Sequence, residues 1–334
     1  MTLEELKNEI AVKGYITIRQ AMDFSRKNLK QGVSYDEYGE PSEEGRVEIH
    51  ELAKIVIKSN QSGDEDDYHN YAVLFGVMEE NTTACDILLC GMKKFPRNVD
   101  LMADFLLYAI SSNDNHYHMC AEIYERLLKI NKKRWSWRAF NFSISYMLSL
   151  VDRDDSIDED ELKEKMLTLA HEYQQYHPKS ELGYVAQARI MKKFGERDEE
   201  NAILVKACEN DSMHAPRSAM MLAENSFGKK EYDIALNYFQ RLQSEQIDQL
   251  YNVSAPGRAY MLSFLTKTAQ FLQETSGAEY NNENDKRVRE IHRDYKIAKK
   301  LKSSQTQLET AKQYITLIEV MSGIPFNDDD DTED

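Results

Sequence analysis

The chain has 334 residues, 41% of them hydrophobic, enough to bury one substantial core or two. A formal net charge of -16 and an isoelectric point near 5.1 argue against broad charge-driven binding to nucleic acid or an anionic membrane. Only 6 Pro and 13 Gly favour long helices over a turn-rich β fold.

The opening "MTLEELKNEIAVKG" is charged and lacks the apolar core of a signal sequence. No stretch approaches the roughly 18 apolar residues of a membrane span. The expectation is a cytoplasmic protein with no membrane association. Residues 1–59 read as an N-terminal helical cap or small helical domain. A first helix ends at Gly14, "YITI" is a short β-prone run, and "RQAMDFSRKNLKQ" is a second helix ended by Gly32. "VSYDEYGEPSEEG" is a polar loop before a third helix, "RVEIHELAKIVIKS". This order is similar to the start of winged-helix DNA-binding domains, but a loop stands where a recognition helix would. A cap is the preferred reading, with "SNQSGDEDD" as its linker.

Tyr68, Tyr71, Ala72 and Phe75 then fall at the i, i+3, i+4, i+7 spacing of one helical face. Ala84, Leu88 and Gly91 repeat that face on a second helix, which Thr82 or Thr83 could cap. Pro96 ends it. Small residues stand where two antiparallel helices approach closely, so the segment predicts a helical hairpin.

These residues resemble the tetratricopeptide repeat, a helix–turn–helix unit of 34 residues. Tyr68 replaces the family's usual Trp and Ala72 its usual Gly. "FGERDEENAILVKACEND" and "FGKKEYDIALNYFQRLQSEQ" support the resemblance, because Gly195 and Gly228 are 33 apart, as are Ala202 and Ala235. "YHMCAEIYERL" parallels "YDIALNYFQRL", with Cys120 in place of Ala235. The small residue opening each second helix is then read at Ala84, Cys120, Met166, Ala202 and Ala235, in steps of 36, 46, 36 and 33. The long step is assigned to an enlarged acidic turn, residues 152–161. The resemblance implies an all-α, right-handed superhelical solenoid of antiparallel hairpins. Residues 66–244 hold five of them, and the helices of 245–322 close the stack. Residues 323–334 read as a disordered acidic tail.

The four cysteines form no CxxC pair and read as small buried hydrophobes in a reducing compartment. No phosphate loop, HExxH, GxSxG or calcium loop is present. His116 and His118 would point to different sides of a helix. No cofactor and no metal are expected. "RVREIH" places Arg287 five residues before His292 and resembles the catalytic motif of HEPN-type ribonucleases. On a helix the two would lie about 140° apart. From Lys286 to Lys302 eight basic residues face two acidic ones, leaving a local +6. The simpler reading is a solvated helix face whose charge meets the acidic loop or tail, so nucleic acid is disfavoured except through residues 286–302.

"KKRWSWRAF" holds both tryptophans. Trp137, Phe140 and Ile144 fit the seam of the third hairpin's first helix, which leaves Trp135 and Arg138 on a neighbouring face. In tetratricopeptide proteins the first helices line a groove that binds peptide or protein segments. Carried through this register, the resemblance directs His69, Trp135, Arg138, Tyr184, Gln187, Arg217 and Glu224 toward that groove. The expected function is a non-enzymatic scaffold or adaptor with a protein or peptide partner. A peptide-sensing regulator with an N-terminal effector domain and a ribonuclease using Arg287 and His292 are the alternatives.

Overall fold

A computed structural model describes residues 3–30, 43–59, 63–112, 116–154, 156–210, 215–244, 255–275, 282–301 and 305–326. Every regular element among them is helical, and the chain divides into two compact units, Met1–Tyr176 and His177–Asp334.

The first unit opens with α1 (Leu3–Lys13), α2 (Ile18–Lys30) and α3 (Glu43–Ser59). Gly14 takes φ 75° and ends α1 as expected. The β-prone run is no strand. Thr17 and Gln20 form a reciprocal cap, with each backbone N–H donating to the other's side chain at 2.9 and 3.2 Å, so Ile18 already starts a helix. Gly32 and nearly all of the expected polar loop lie outside the described residues.

Three hairpins follow, α4 (Glu65–Val77) with α5 (Asn81–Lys94), α6 (Val99–Ser111) with α7 (Cys120–Leu128), and α8 (Trp137–Arg153) with α9 (Glu159–Tyr176). Within the unit α2 packs on α4, α3 on α5, and α6 on both α4 and α8. Tyr68, Tyr71, Ala72, Phe75, Ala84 and Leu88 are fully buried, as their spacing requires. A Cβ on Gly91 would stand 2.9 Å from Cγ of Tyr68, so the close approach read from the sequence is real. Neither Thr82 nor Thr83 caps α5, whose N-cap is Glu80.

Only the middle of the acidic run 152–161, residues 154–158, connects the helices, and most of the extra length is helical. Asp152 lies in α8 and Glu159 to Glu161 in α9, so the extra residues lengthen both helices to 17 and 18 residues. Carboxylates are favourable in a helix's first turn, and Asp158 accepts from the Glu161 N–H at 3.0 Å.

The second unit holds α10 (Leu182–Lys193), α11 (Arg197–Cys208), α12 (Pro216–Gly228), α13 (Tyr232–Ser244), α14 (Ala255–Thr275), α15 (Asn282–Lys300) and α16 (Gln305–Ser322). The hairpins α10–α11 and α12–α13 form, but the Phe-Gly match between them misleads. Gly195 takes φ 77° in the first turn, whereas Gly228 is still helical and Lys230 takes φ 64° in the second. The turns therefore correspond with an offset of 35, not 33. Glu200, not Ala202, occupies the place of Ala235: Glu200 is fully buried and Ala202 is exposed. Glu200 is tolerated because Arg197 Nη1 and Asn225 Nδ2 donate to it at 2.9 and 3.1 Å.

Met261, Phe264, Phe271, Val288, Ile291 and Ile315 centre the core of α14–α16. Residues 323–334 are expected as a tail, but Ile324 and Phe326 within that span pack on this core, and 327–334 lie outside the described residues.

Candidate functional site

The first helices of the three hairpins in Met1–Tyr176 start alike. Asp64, Asn98 and Ser136 each accept from the backbone N–H three residues on, at 2.9, 2.8 and 3.4 Å. From those starts α4 carries His69, α6 carries Asp104 and α8 carries Arg138. Asp104 is 2% exposed, while the side chains of His69 and Arg138 are about a quarter open.

His69 Nδ1 lies 2.6 Å from Asp104 Oδ2. A carboxylate can only accept, so Nδ1 donates and carries a proton. Arg138 Nη1 lies 3.3 Å from the same oxygen and 2.8 and 3.0 Å from His69 Nδ1 and Nε2, so it stands against the imidazole ring rather than on one lone pair. Arg138 Nε stands 3.8 Å from Asp100 Oδ1, which also accepts from the Ser136 hydroxyl. Burial, then the Asp104 charge, pushes the Tyr108 phenol up to about 12, so it stays neutral. Gly76 makes room for that ring, since a Cβ there would stand 2.2 Å from Tyr108 Cε1. The buried carboxylate thus holds two side chains, each about a quarter open, from the neighbouring helices α4 and α8 in fixed orientation.

His69 and Arg138 are the two expected groove residues that the fold brings together. Trp135 is not on an open face. It is 2% exposed, whereas Trp137, expected in the seam, is 40% exposed. The reason is a hydrophobic staple. Ser136 is the N-cap of α8, Trp135 precedes it, and the Trp135 ring packs on Phe140 four residues past the cap, centroids 5.1 Å apart. The indole N–H donates to Ile130 O at 3.2 Å. The remaining four lie in the other unit. Tyr184 packs beside Ala207 and Ala215. Gln187 is buried, and its amide donates to Gly183 O at 3.3 Å. Arg217 is exposed at the start of α12, where the Glu181 carboxylate accepts from its backbone N–H at 3.0 Å. Glu224 pairs with Arg258 at 2.5 Å.

Arg287 and His292 have separate surroundings. Arg287 donates to Glu274 at 2.7 Å and lies 5.5 Å from the Phe271 ring. His292 is 7% exposed, packs edge-on to Phe326 at 5.2 Å, and its Nε2 has no hydrogen-bond partner. Burial lowers its pKa, with Glu319 opposing and Lys296 adding to the shift. Among the described residues no group of His, Cys, Asp and Glu could hold a metal ion, and no helix is long and apolar enough to cross a membrane. The four cysteines are free thiols. Burial pushes the Cys120 thiol up to about 12, so it packs as a neutral group.

Asp104 and Asp100 were not singled out from the sequence. The available signal was two acids inside the apolar "VDLMADFLLYAI".

Paired helices with recurring seams and recurring turns define an all-α helical-repeat fold. No protein-family model and no curated protein matches the sequence. The chain is similar in structure to TTC0263, a thermophilic TPR protein of Thermus thermophilus, at 13% identity and a TM-score of 0.45. That match covers 59% of this chain and 98% of the other. It is similar to an IFIT1 monomeric mutant solved with Gppp-AAAA, at 14% identity and a TM-score of 0.43, over 96% of this chain and 70% of that one. The human IFIT1 dimer with m7Gppp-AAAA aligns at 14% identity and a TM-score of 0.42, over 96% and 69%.

Proposed function

We propose that the protein is a non-enzymatic, cytoplasmic scaffold that binds a protein or peptide segment on the first-helix faces of its hairpins. His69 and Arg138 are the contacts in Met1–Tyr176, and Tyr184, Arg217 and Glu224 those in the other unit. The observation that carries this reading is the His69–Asp104–Arg138 cluster. A buried ion pair adds little net stability compared with apolar packing. Its use here is to fix two side chains that would otherwise lose rotamer freedom on binding. Arg138 has five N–H donors, more than its contacts in the cluster require, so it can reach peptide carbonyls or carboxylates. The packing of α2 on α4 and of α3 on α5 supports residues 1–59 as a cap rather than a separate effector.

The test is to identify the partner that co-purifies with the full chain and titrate it against wild type and Arg138→Ala. A charge-assisted hydrogen bond contributes about 1.5–3 kcal/mol, so affinity should fall about tenfold or more with helicity unchanged. Unaltered affinity in a folded variant rejects the site.

A further inference from the structure

On α15, Lys286, Arg289 and Arg293 are exposed, and none pairs with a described residue. Steps of three and four place them on one helix face, and Lys296 and Lys300 continue it. The acids of this helix do little to neutralise the stripe. Asp294 is 2% exposed and is taken up by the Ser263 hydroxyl at 2.7 Å and the Lys267 ammonium at 2.8 Å. Among the described acids, Asp285 is half-buried and Glu290 is exposed beside the stripe, two carboxylates against the three unpaired cations. Like charges at this spacing repel and destabilise a helix, so Lys286, Arg289 and Arg293 call for a counter-anion in a protein of net charge -16.

The last described residues lie against α15. Gly323 takes φ 68° and ends α16, and the Phe326 N–H donates to Glu319 Oε1 at 2.5 Å. The Phe326 ring packs on His292 and Tyr295, with centroids 5.2 and 5.3 Å away, and the Lys296 ammonium lies 5.6 Å from it. Phe326 is thus seated on α15 one helical turn from Arg293. Residues 328–334 then carry six carboxylates, at Asp328, Asp329, Asp330, Asp331, Glu333 and Asp334.

We propose that the acidic segment 327–334 docks in cis along the cationic stripe of α15. Lys286 and Arg293 are seven residues apart, roughly 10 Å along a helix, and eight extended residues reach about 28 Å. Each exposed pair is weak. Tethering raises the effective concentration to the order of 1 mM, so a segment binding at about 0.1 mM in trans would fill the stripe about nine-tenths of the time.

The experiment compares the full chain with a full chain whose six carboxylates are neutralised (Asp328→Asn, Asp329→Asn, Asp330→Asn, Asp331→Asn, Glu333→Gln, Asp334→Asn). Phenylglyoxal modification of Arg289 and Arg293 is followed by peptide mass, with exposed Arg217 as internal control. The neutralised chain should react about tenfold faster at both arginines, as the occupancy requires. The difference should vanish near 1 M salt, where the screening length falls to about 3 Å. Equal rates at low salt overturn the proposal. In trans, a labelled Asn-Asp-Asp-Asp-Asp-Thr-Glu-Asp peptide should bind the neutralised chain and lose binding when Arg289→Glu and Arg293→Glu are added. If single-stranded RNA of equal charge binds that chain and the peptide does not, the stripe is a nucleic-acid surface and the proposal fails.

Discussion

Gly195 and Lys230 hold the same place in two hairpins 35 residues apart. Both have positive φ, 77° and 64°, and each stands five residues before a fully buried position, Glu200 and Ala235. The next residue closes the turn in both, Glu196 N–H to Met191 O and Glu231 N–H to Ser226 O, each at 2.9 Å. Glu79, with φ 62°, does the same before Ala84, through Glu80 N–H to Phe75 O at 2.9 Å. These are left-handed C-terminal turns that satisfy carbonyls at the helix end.

The two Phe-Gly dipeptides should therefore respond oppositely to one substitution. Nothing lies within 4 Å of a Cβ at either glycine, so packing does not enter. Gly195→Ala forces an L-residue into the left-handed region and should cost about 1–2 kcal/mol. Gly228→Ala improves a helical position and should gain about 0.5 kcal/mol. Lys230→Gly should stabilise. Thermal melts of the three variants check this, and a destabilising Gly228→Ala would restore the offset of 33.

The tryptophans separate by burial. Trp135→Ala should cost about 3–5 kcal/mol, as for a buried aromatic, and Trp137→Ala well under 1 kcal/mol. Single-tryptophan variants give an independent readout. With Trp137→Phe the remaining emission should be blue-shifted and shielded from acrylamide. With Trp135→Phe it should be red-shifted and quenched. The reverse pattern would return Trp137 to the core.

These pairs also show what the sequence carried. The seams of α4 and α5 were legible because burial recurs at the helical period and Tyr68, Phe75, Ala84 and Leu88 each carry that signal alone. Ala202 was misplaced because the sign of φ at Gly195 and Lys230, not residue size, sets where α11 and α13 begin. Trp135 was misread because a staple residue stands outside the helix and escapes its period. Asp104 was missed because its partners are 35 and 34 residues away and only the stacking of α4, α6 and α8 brings them to it.

His292 makes stability fall with acid. Its folded pKa lies below the ordinary 6.5, chiefly through burial. Between that lowered value and 6.5 the unfolded chain binds more protons, so stability rises with pH through this window. It is complete above about 6.5 and is lost as pH falls toward the folded value. Groups around it are Glu319, Lys296 and the Phe326 ring. Denaturant melts should show a decline below pH 6.5 that His292→Leu reduces. An identical pH profile in that variant would assign the decline to another group.

The cluster on α4, α6 and α8 should be asymmetric under mutation. Asp104→Ala leaves His69 and Arg138, whose side chains are 25% and 26% exposed and can turn to water. That loss should be modest, about 1 kcal/mol, the usual net worth of such hydrogen bonds. His69→Ala with Arg138→Ala instead leaves the Asp104 carboxylate, 3% exposed, without either donor. Stranding a buried charge costs about 3–5 kcal/mol. The triple variant, which removes the carboxylate as well, should recover most of that. Urea melts of the four proteins measure the three differences. If the double variant is no worse than Asp104→Ala, the carboxylate is not held by these donors, and Asp104 no longer accounts for their orientation.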